Sequence, residues 1–221
     1  PLVEPKLLDF LGPAFDGESL GRVAEHLRSG GLVAMPTETI YGFGCVPDPN
    51  PVGRLQLLKR RGSDKPFLLL IDSANSVPEL KWSREALELA SAFWPGALTL
   101  ILSDPAGRFP PGVRSGKGGV AVRVSPHPLV QALLGALGGP LVSTSANVSG
   151  GVPALGAERA FELARELGVG ESMWVLDGGF LEASNPSTIV DCTGSVPFVI
   201  RSGTIPLNRM RCVLPELDEK H

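Results

Sequence analysis

The chain has 221 residues, 43% of them hydrophobic and 19% charged, with a formal net charge of −3. That length and apolar content are enough for one domain with a proper core. The acidic balance excludes a surface broadly dedicated to nucleic acid or anionic membrane, while a local basic groove stays open. Cys45, Cys192 and Cys212 are far apart and show no CxxC pairing, so neither a disulfide framework nor a zinc site is indicated and they read as reduced thiols. No signal-peptide pattern is visible, and the longest apolar runs, 67–71 and 97–102, are too short to cross a bilayer. The expectation is a soluble cytoplasmic protein with no membrane partner.

Residues 1–18 show no period and read as an arm or edge segment. Ser19 can cap a helix whose apolar residues Leu20, Val23, Ala24 and Leu27 recur at helical spacing until Gly30-Gly31 stops it. Leu32 to Met35 reads as a buried strand running into Pro36-Thr37-Glu38-Thr39-Ile40-Tyr41-Gly42, with Thr37 and Thr39 two apart just beyond it. Asn50-Pro51 offers a cap followed by proline for a second helix, with Val52, Leu55 and Leu58 on its face. This helix leads into a basic cluster, Arg54, Lys59, Arg60, Arg61 and Lys65, opposed by Asp64 alone. A helix dipole favours cations at its C-terminus by ~0.3–1 kcal/mol each, so the cluster is either a cap or a place for an anion.

Phe67 to Ile71 is another apolar strand, and Ser83 to Phe93 a helix with Leu87, Ala90 and Phe93 inward. The strand Leu98 to Leu102 follows Trp94-Pro95-Gly96. Residues 103–119, rich in proline and glycine, read as a mobile loop over a site. Its Ser115-Gly116-Lys117-Gly118-Gly119 lacks the GxxxxGK[ST] spacing of a P-loop. In Val120 to Val124 the valines share one face, and Arg123 shares the other with Ala121. An arginine in so apolar a strand needs an acidic partner or an anionic ligand unless its face is solvated.

After the helix Pro128 to Leu137 comes Pro140-Leu141-Val142 and then STSANVSG, Ser143 to Gly150. Ser143, Ser145 and Asn147 alternate, so on a strand they share one side. They would emerge at its C-terminal end, where open α/β sheets hold ligands; an ordinary strand-to-loop turn has the same composition. The amphipathic helix Ala157 to Leu167 precedes strands at Met173 to Leu176, Thr188 to Val190 and Phe198 to Gly203, the last ending in Arg201 and glycine.

Alternating strands and helices specify an α/β fold, a single-domain twisted mixed sheet with flanking helices and some later strands antiparallel. His26, His127 and His221 show no metal spacing, and His26 fits a helix surface. No GxSxG elbow or required carboxylate pair is present. Hydroxyls and amides at strand ends, bases beside them and many glycines suit a polyphosphate bound together with a small polar molecule.

Six ordered motifs sharpen this: Gly31 to Gly42, Lys59-x-Arg61 with Lys65-Pro66-Phe67-Leu68, Phe93 to Leu100, Val120 to Val124, Ser143 to Gly150, and Pro186 to Asp191. Together they resemble the YrdC-like family, the L-threonylcarbamoyladenylate synthases, over about Ser19 to Gly203. The resemblance implies a YrdC-like open α/β fold with a concave groove, in the short form without an extra C-terminal domain. It divides the chain into an arm, 1–18, a catalytic domain, 19–205, and a tail, 206–221. The implied reaction makes threonylcarbamoyl-AMP and pyrophosphate from L-threonine, bicarbonate and ATP. A threonylcarbamoyl-transferase complex acting on tRNA is the implied partner, with weak tRNA binding by this chain itself.

Carried over by motif, Lys59 and Arg61 are the catalytic pair and, with Ser145 and Asn147, hold the triphosphate and the reacting carbamate. Arg201 lies on the nucleotide side, and Thr37, Thr39, Arg123, Ser143 and Ser187 contact threonine. Mg²⁺ is expected on the phosphates with no evident protein ligand set. Leu70 stands where some relatives have a histidine. The rival readings are an RNA-binding module of the same fold and a carbamoyl-adenylate enzyme with a different acceptor.

Overall fold

Hydrophobic alternation dictates most of the architecture. The computed structural model describes residues 4–12, 15–60 and 65–219. Its helices are α1 (Gly17–Arg28), α2 (Pro49–Lys59), α3 (Arg84–Phe93), α4 (Pro128–Leu137), α5 (Ala157–Glu166) and α6 (Leu207–Arg211). Its strands are β1 (Lys6–Asp9), β2 (Leu32–Pro36), β3 (Tyr41–Cys45), β4 (Leu68–Leu70), β5 (Leu98–Ser103), β6 (Gly119–Arg123), β7 (Leu141–Ser145), β8 (Met173–Asp177), β9 (Thr188–Asp191), β10 (Phe198–Arg201) and β11 (Asp218–Glu219).

All these strands join one mixed sheet in the order β1-β8-β2-β3-β7-β4-β6-β5-β9-β10-β11. β1 and β11, from the two ends of the chain, form its edges. Antiparallel pairing is not confined to the later strands, because β2 and β3 already form a hairpin. β3 is not singled out by the sequence, where Tyr41 to Cys45 alternate with glycine, a residue that normally weakens a strand. Packing explains the glycines. A Cβ at Gly42 would come within 2.6 Å of the Ser143 hydroxyl, and one at Gly44 within 2.7 Å of the Val142 carbonyl, so β7 can lie beside β3 only if both are glycine.

The sheet separates two cores. Leu32 and Ala34 of β2 face α2, α3 and α5, whereas Val33 and Met35 face α1 and α4. A strand covered on both sides must be apolar throughout, hence the unbroken run. On the second side, α1 and α4 pack on each other and on the β1, β8 and β2 portion, reaching Leu70 and Leu141. Over the middle strands that side is left to the cavity described below.

Local signals are mostly realised, with informative shifts. Ser83 caps α3 through a 3.1 Å bond to the Ala86 N–H. α1 instead starts after Asp16, whose carboxylate accepts from the Glu18 and Ser19 N–H groups, and Ser19 sits inside the first turn. A carboxylate outcompetes a hydroxyl there because it also meets the positive end of the helix dipole. α2 begins at Pro49 after Asp48, which makes no side-chain cap bond, so Asn50 lies within the helix and does not cap it. Leu87 points outward and Leu89 takes the inward place beside Ala86 and Ala90. His26 is not a plain surface residue: it stacks on Trp174 at 4.1 Å and bonds the Leu32 carbonyl at 3.0 Å, and burial lowers its pKa.

Tyr41, the chain's single tyrosine, is buried in the first core, with its hydroxyl donating to the Gly179 carbonyl at 2.7 Å and accepting from the Gly178 N–H at 3.2 Å. Burial pushes the phenol up to about 12. Tyr41→Phe should cost about 1–3 kcal/mol in denaturant unfolding, because two backbone groups lose their partner. Ligand affinity should be unchanged in the same variant.

Candidate functional site

Side chains of alternating parity from the middle strands open into one cavity of about 620 Å³, on the part of the second sheet face that α1 and α4 leave uncovered. Among its lining residues are Thr37, Thr39, Thr99, Arg123, Ser143, Ser145, Ser187 and Arg201. The valines of β6 and the leucines of β5 point the other way, into the first core. The site thus lies on the sheet face. Ser145 is the last residue of β7, at the strand's C-terminal end as expected, and the cavity extends from there over the sheet face, where antiparallel neighbours present side chains from within the strands.

Thr37 and Thr39 belong to the β2–β3 turn. The Thr37 hydroxyl donates to the Ile40 carbonyl at 2.8 Å and lies 3.2 Å from the Thr39 hydroxyl. The hydroxyl thus reinforces the backbone bond that closes the turn, from the Thr37 N–H to the same carbonyl at 3.0 Å. Glu38, between them, places its carboxylate 3.1 Å from Arg123 Nε, both side chains being about nine-tenths buried. This approach lies off the N–H axis, so it is a charge contact and not a hydrogen bond. Burial lowers the pKa of Arg123, with Glu38 opposing and Arg201 reinforcing that shift. His127 caps α4 by accepting from the Leu129 N–H at 3.3 Å, and burial lowers its pKa against the charge of Glu38.

On the opposite wall, the Ser187 hydroxyl lies 2.9 Å from that of Thr99 and accepts from Arg201 at 3.1 Å, while the Ser187 carbonyl accepts from the same guanidinium at 2.8 Å. Arg201 and Ser187 are thus directly linked by hydrogen bonds. Gly203 makes this possible, since a Cβ there would come within 2.3 Å of the Pro186 carbonyl. Thr99 was missed by sequence reasoning. Its signal was available: a single hydroxyl amid the leucines of β5, the same pattern that singles out Arg123.

Lys59 and Asn147 stand beside the cavity and not on its lining. The Lys59 ammonium, at the buried end of α2, donates to the Ser145 carbonyl at 2.8 Å, the Asn147 carbonyl at 2.6 Å and the Asn147 amide oxygen. That amide oxygen also accepts from the Ser145 hydroxyl at 2.7 Å, and the Asn147 amide nitrogen donates to the Gly151 carbonyl at 2.7 Å. The Ser-Ala-Asn turn is therefore shaped around one cation. Arg61 lies outside the described residues. Of the remaining bases in the cluster, Arg54 donates to the Gly30 carbonyl at 2.8 Å, so Arg54 and Lys59 both serve internal contacts.

Residues 103–119 do not line the cavity. Buried Asp104 ties that loop down by accepting from the Arg108 and Phe109 N–H groups, each at 3.0 Å. Leu70 is fully buried in the second core and makes no wall of the site. Among the described residues no group of three His, Cys, Asp or Glu side chains is placed to hold a metal ion, and no helix is long and apolar enough to cross a membrane.

Known proteins resemble this chain in both sequence and structure. Residues 25–203 match the Sua5_yciO_yrdC family model, described as "Telomere recombination". A threonylcarbamoyl-AMP synthase of Chromohalobacter salexigens is 38% identical over 180 residues, covering 79% of this chain and 94% of that protein. One of Bacillus subtilis is 33% identical over 198 residues, covering 88% of this chain and 56% of its own length. The structure of P. abyssi Sua5 complexed with L-threonine matches with a TM-score of 0.86 at 30% identity, covering 98% of this chain and 62% of that one. The chain thus spans about three fifths of these longer relatives.

Proposed function

The chain belongs to the Sua5/YciO/YrdC family, and from that membership we propose that it is a threonylcarbamoyl-AMP synthase. Its substrates are L-threonine, bicarbonate and ATP. The observation that carries this reading is a cavity that holds a buried guanidinium flanked by hydroxyls and is bordered, at Ser145, by a turn organised around the Lys59 cation. The first suits the carboxylate and hydroxyl of a small amino acid, because the planar fork of arginine matches a carboxylate. The second suits phosphate oxygens.

In the reaction the threonine amine takes up the carbon of bicarbonate with loss of water. A carbamate oxygen then attacks the α-phosphorus, and pyrophosphate leaves. Anions meet and an anion departs, so the demand on the protein is fixed positive charge and alignment more than a general base. Arg123 holds the threonine carboxylate, with Thr37, Thr39, Ser143 and Ser187 around the remainder of that substrate. Lys59 and Arg61 act with Ser145 and Asn147 at the phosphates and the carbamate, and Arg201 lies between the two subsites through its bonds to Ser187. Among the described residues no carboxylate set is placed to hold Mg²⁺, and the ion would come with the nucleotide phosphates, keeping its waters.

Residues 19–205 form the catalytic unit. The enzyme works in the cytoplasm, where a transferase complex passes the threonylcarbamoyl group to the adenosine beside the anticodon of tRNA. Pyrophosphate release, measured with threonine and bicarbonate omitted in turn, tests the assignment. Release should need both, and release indifferent to threonine would overturn it in favour of another acceptor.

A further inference from the structure

Arg123 raises a question that substrate binding alone does not answer. Its side chain is almost wholly buried, it lines the cavity, and Arg201 lines the same cavity. Two guanidiniums beside a place for a nucleotide would draw phosphates and simple anions as readily as the carboxylate of an amino acid. Glu38 is the one carboxylate paired with either of them among the described residues. Both of its oxygens are buried and neither has a hydrogen-bond partner, so charge and not hydrogen bonding accounts for its placement. Such a carboxylate is costly unless its counter-ion is doing something that needs it.

The geometry suggests what that is. Glu38 is not on the cavity wall, whereas its neighbours Thr37 and Thr39 are, so the turn sends the hydroxyls inward and the carboxylate behind Arg123. Contact is made at Nε, the stem side of the guanidinium. Among the described residues, the terminal nitrogens of Arg123 donate no hydrogen bond to protein.

We propose that Glu38 is a positioning and specificity-setting residue for the Arg123 subsite. It fixes the guanidinium plane from behind and cancels its net charge. What remains in the cavity is a directional fork without a strong general attraction for anions. A carboxylate that fits the fork and is further held by the hydroxyls then binds, while free anions and the phosphates of the nucleotide are left to the Lys59 side. The identity of the carboxylate as that of threonine rests on the proposed function; the charge balance does not.

Glu38→Gln and Glu38→Asp test this on the full chain, with steady-state kinetics for both substrates and calorimetric titration of acetate. Glu38→Gln keeps the shape and removes the charge. It should raise the threonine KM about tenfold or more through lost alignment, leave the ATP KM within about twofold, and bind acetate, which becomes an inhibitor competitive with threonine. The wild type should not bind acetate. Glu38→Asp keeps the charge, so it should exclude acetate while still raising the threonine KM.

An unchanged threonine KM together with no acetate binding in Glu38→Gln would overturn the proposal. If that variant does not fold, Glu38→Asp decides, and an unchanged threonine KM in it overturns the proposal equally. A wild type lacking threonine-dependent pyrophosphate release would sink the threonine assignment alone, because acetate binding to Glu38→Gln reads the charge balance whatever the substrate.

Discussion

Replacing Arg123 with methionine should raise the threonine KM by about a hundredfold, the scale expected when a hydrogen-bonded charge contact is removed from a desolvated site. The ATP KM should move far less. The same change strands Glu38 as a buried, uncompensated carboxylate, and breaking a buried pair in this way costs about 3–5 kcal/mol of stability. The two effects separate in the double variant Glu38→Gln/Arg123→Met. Removing both charges should restore most of the stability, since apolar or neutral replacement of a whole buried pair is often tolerated, yet threonine binding should stay weak. Urea unfolding and initial-rate kinetics on the single and double variants provide the check. A double variant that regained threonine affinity would mean that Arg123 is only a structural partner of Glu38.

Lys59→Met should have the larger effect on turnover. Methionine fills the space of the lysine stem but donates nothing to the Ser145 carbonyl, the Asn147 carbonyl and the Asn147 amide oxygen. The turn then loses the cation around which it is shaped. Catalysis that depends on positive charge and alignment at a phosphate should fall by about 10²–10³ in kcat, the range seen when one preorganised donor is lost. Stability should fall by about 1–3 kcal/mol from the unsatisfied acceptors. Asn147→Asp is the useful comparison, because its added carboxylate keeps Lys59 satisfied while placing negative charge next to the phosphates. It gives up the donor to the Gly151 carbonyl, so it should lose about 1–3 kcal/mol of stability as well as rate, the latter measured by pyrophosphate release at saturating ATP and threonine. A Lys59→Met enzyme with near-normal kcat would reduce Lys59 to a helix-end strut.

The sequence made the sheet and its chemistry legible to different degrees. Strands covered on both sides, such as β2, announce themselves by unbroken apolar runs, and α4 falls on the residues its proline start and helical period indicate. β3 did not, because its glycines answer to a neighbouring strand that no local pattern reveals. For the site, alternation was the productive signal. It found Ser143 and Ser145, and it flagged Arg123 as needing an acidic partner or an anionic ligand. The structure supplies that partner from Glu38, far away in sequence, and pairing across such a distance is invisible to a local reading. Lys59 was identified for its charge, but its engagement with the 145–147 turn depends on α2 ending beneath β7, a tertiary fact. The extent of the cavity over the sheet face was not legible for a similar reason: whether a helix covers a stretch of sheet is a property of the assembled layers.

The cavity takes its polar groups from strands and turns scattered between Thr37 and Arg201, mostly one or two from each. In a sheet, a slip of one residue turns a strand's side chains to the opposite face. A slip in β5, β6 or β7 would point Thr99, Arg123 or Ser143 into the apolar core and leucine or valine into the site. Competence to bind substrate therefore reports on the pairing of the whole sheet at once. No fragment of the chain carries a partial site, and substrate binding should favour the correctly registered sheet over any misaligned competitor.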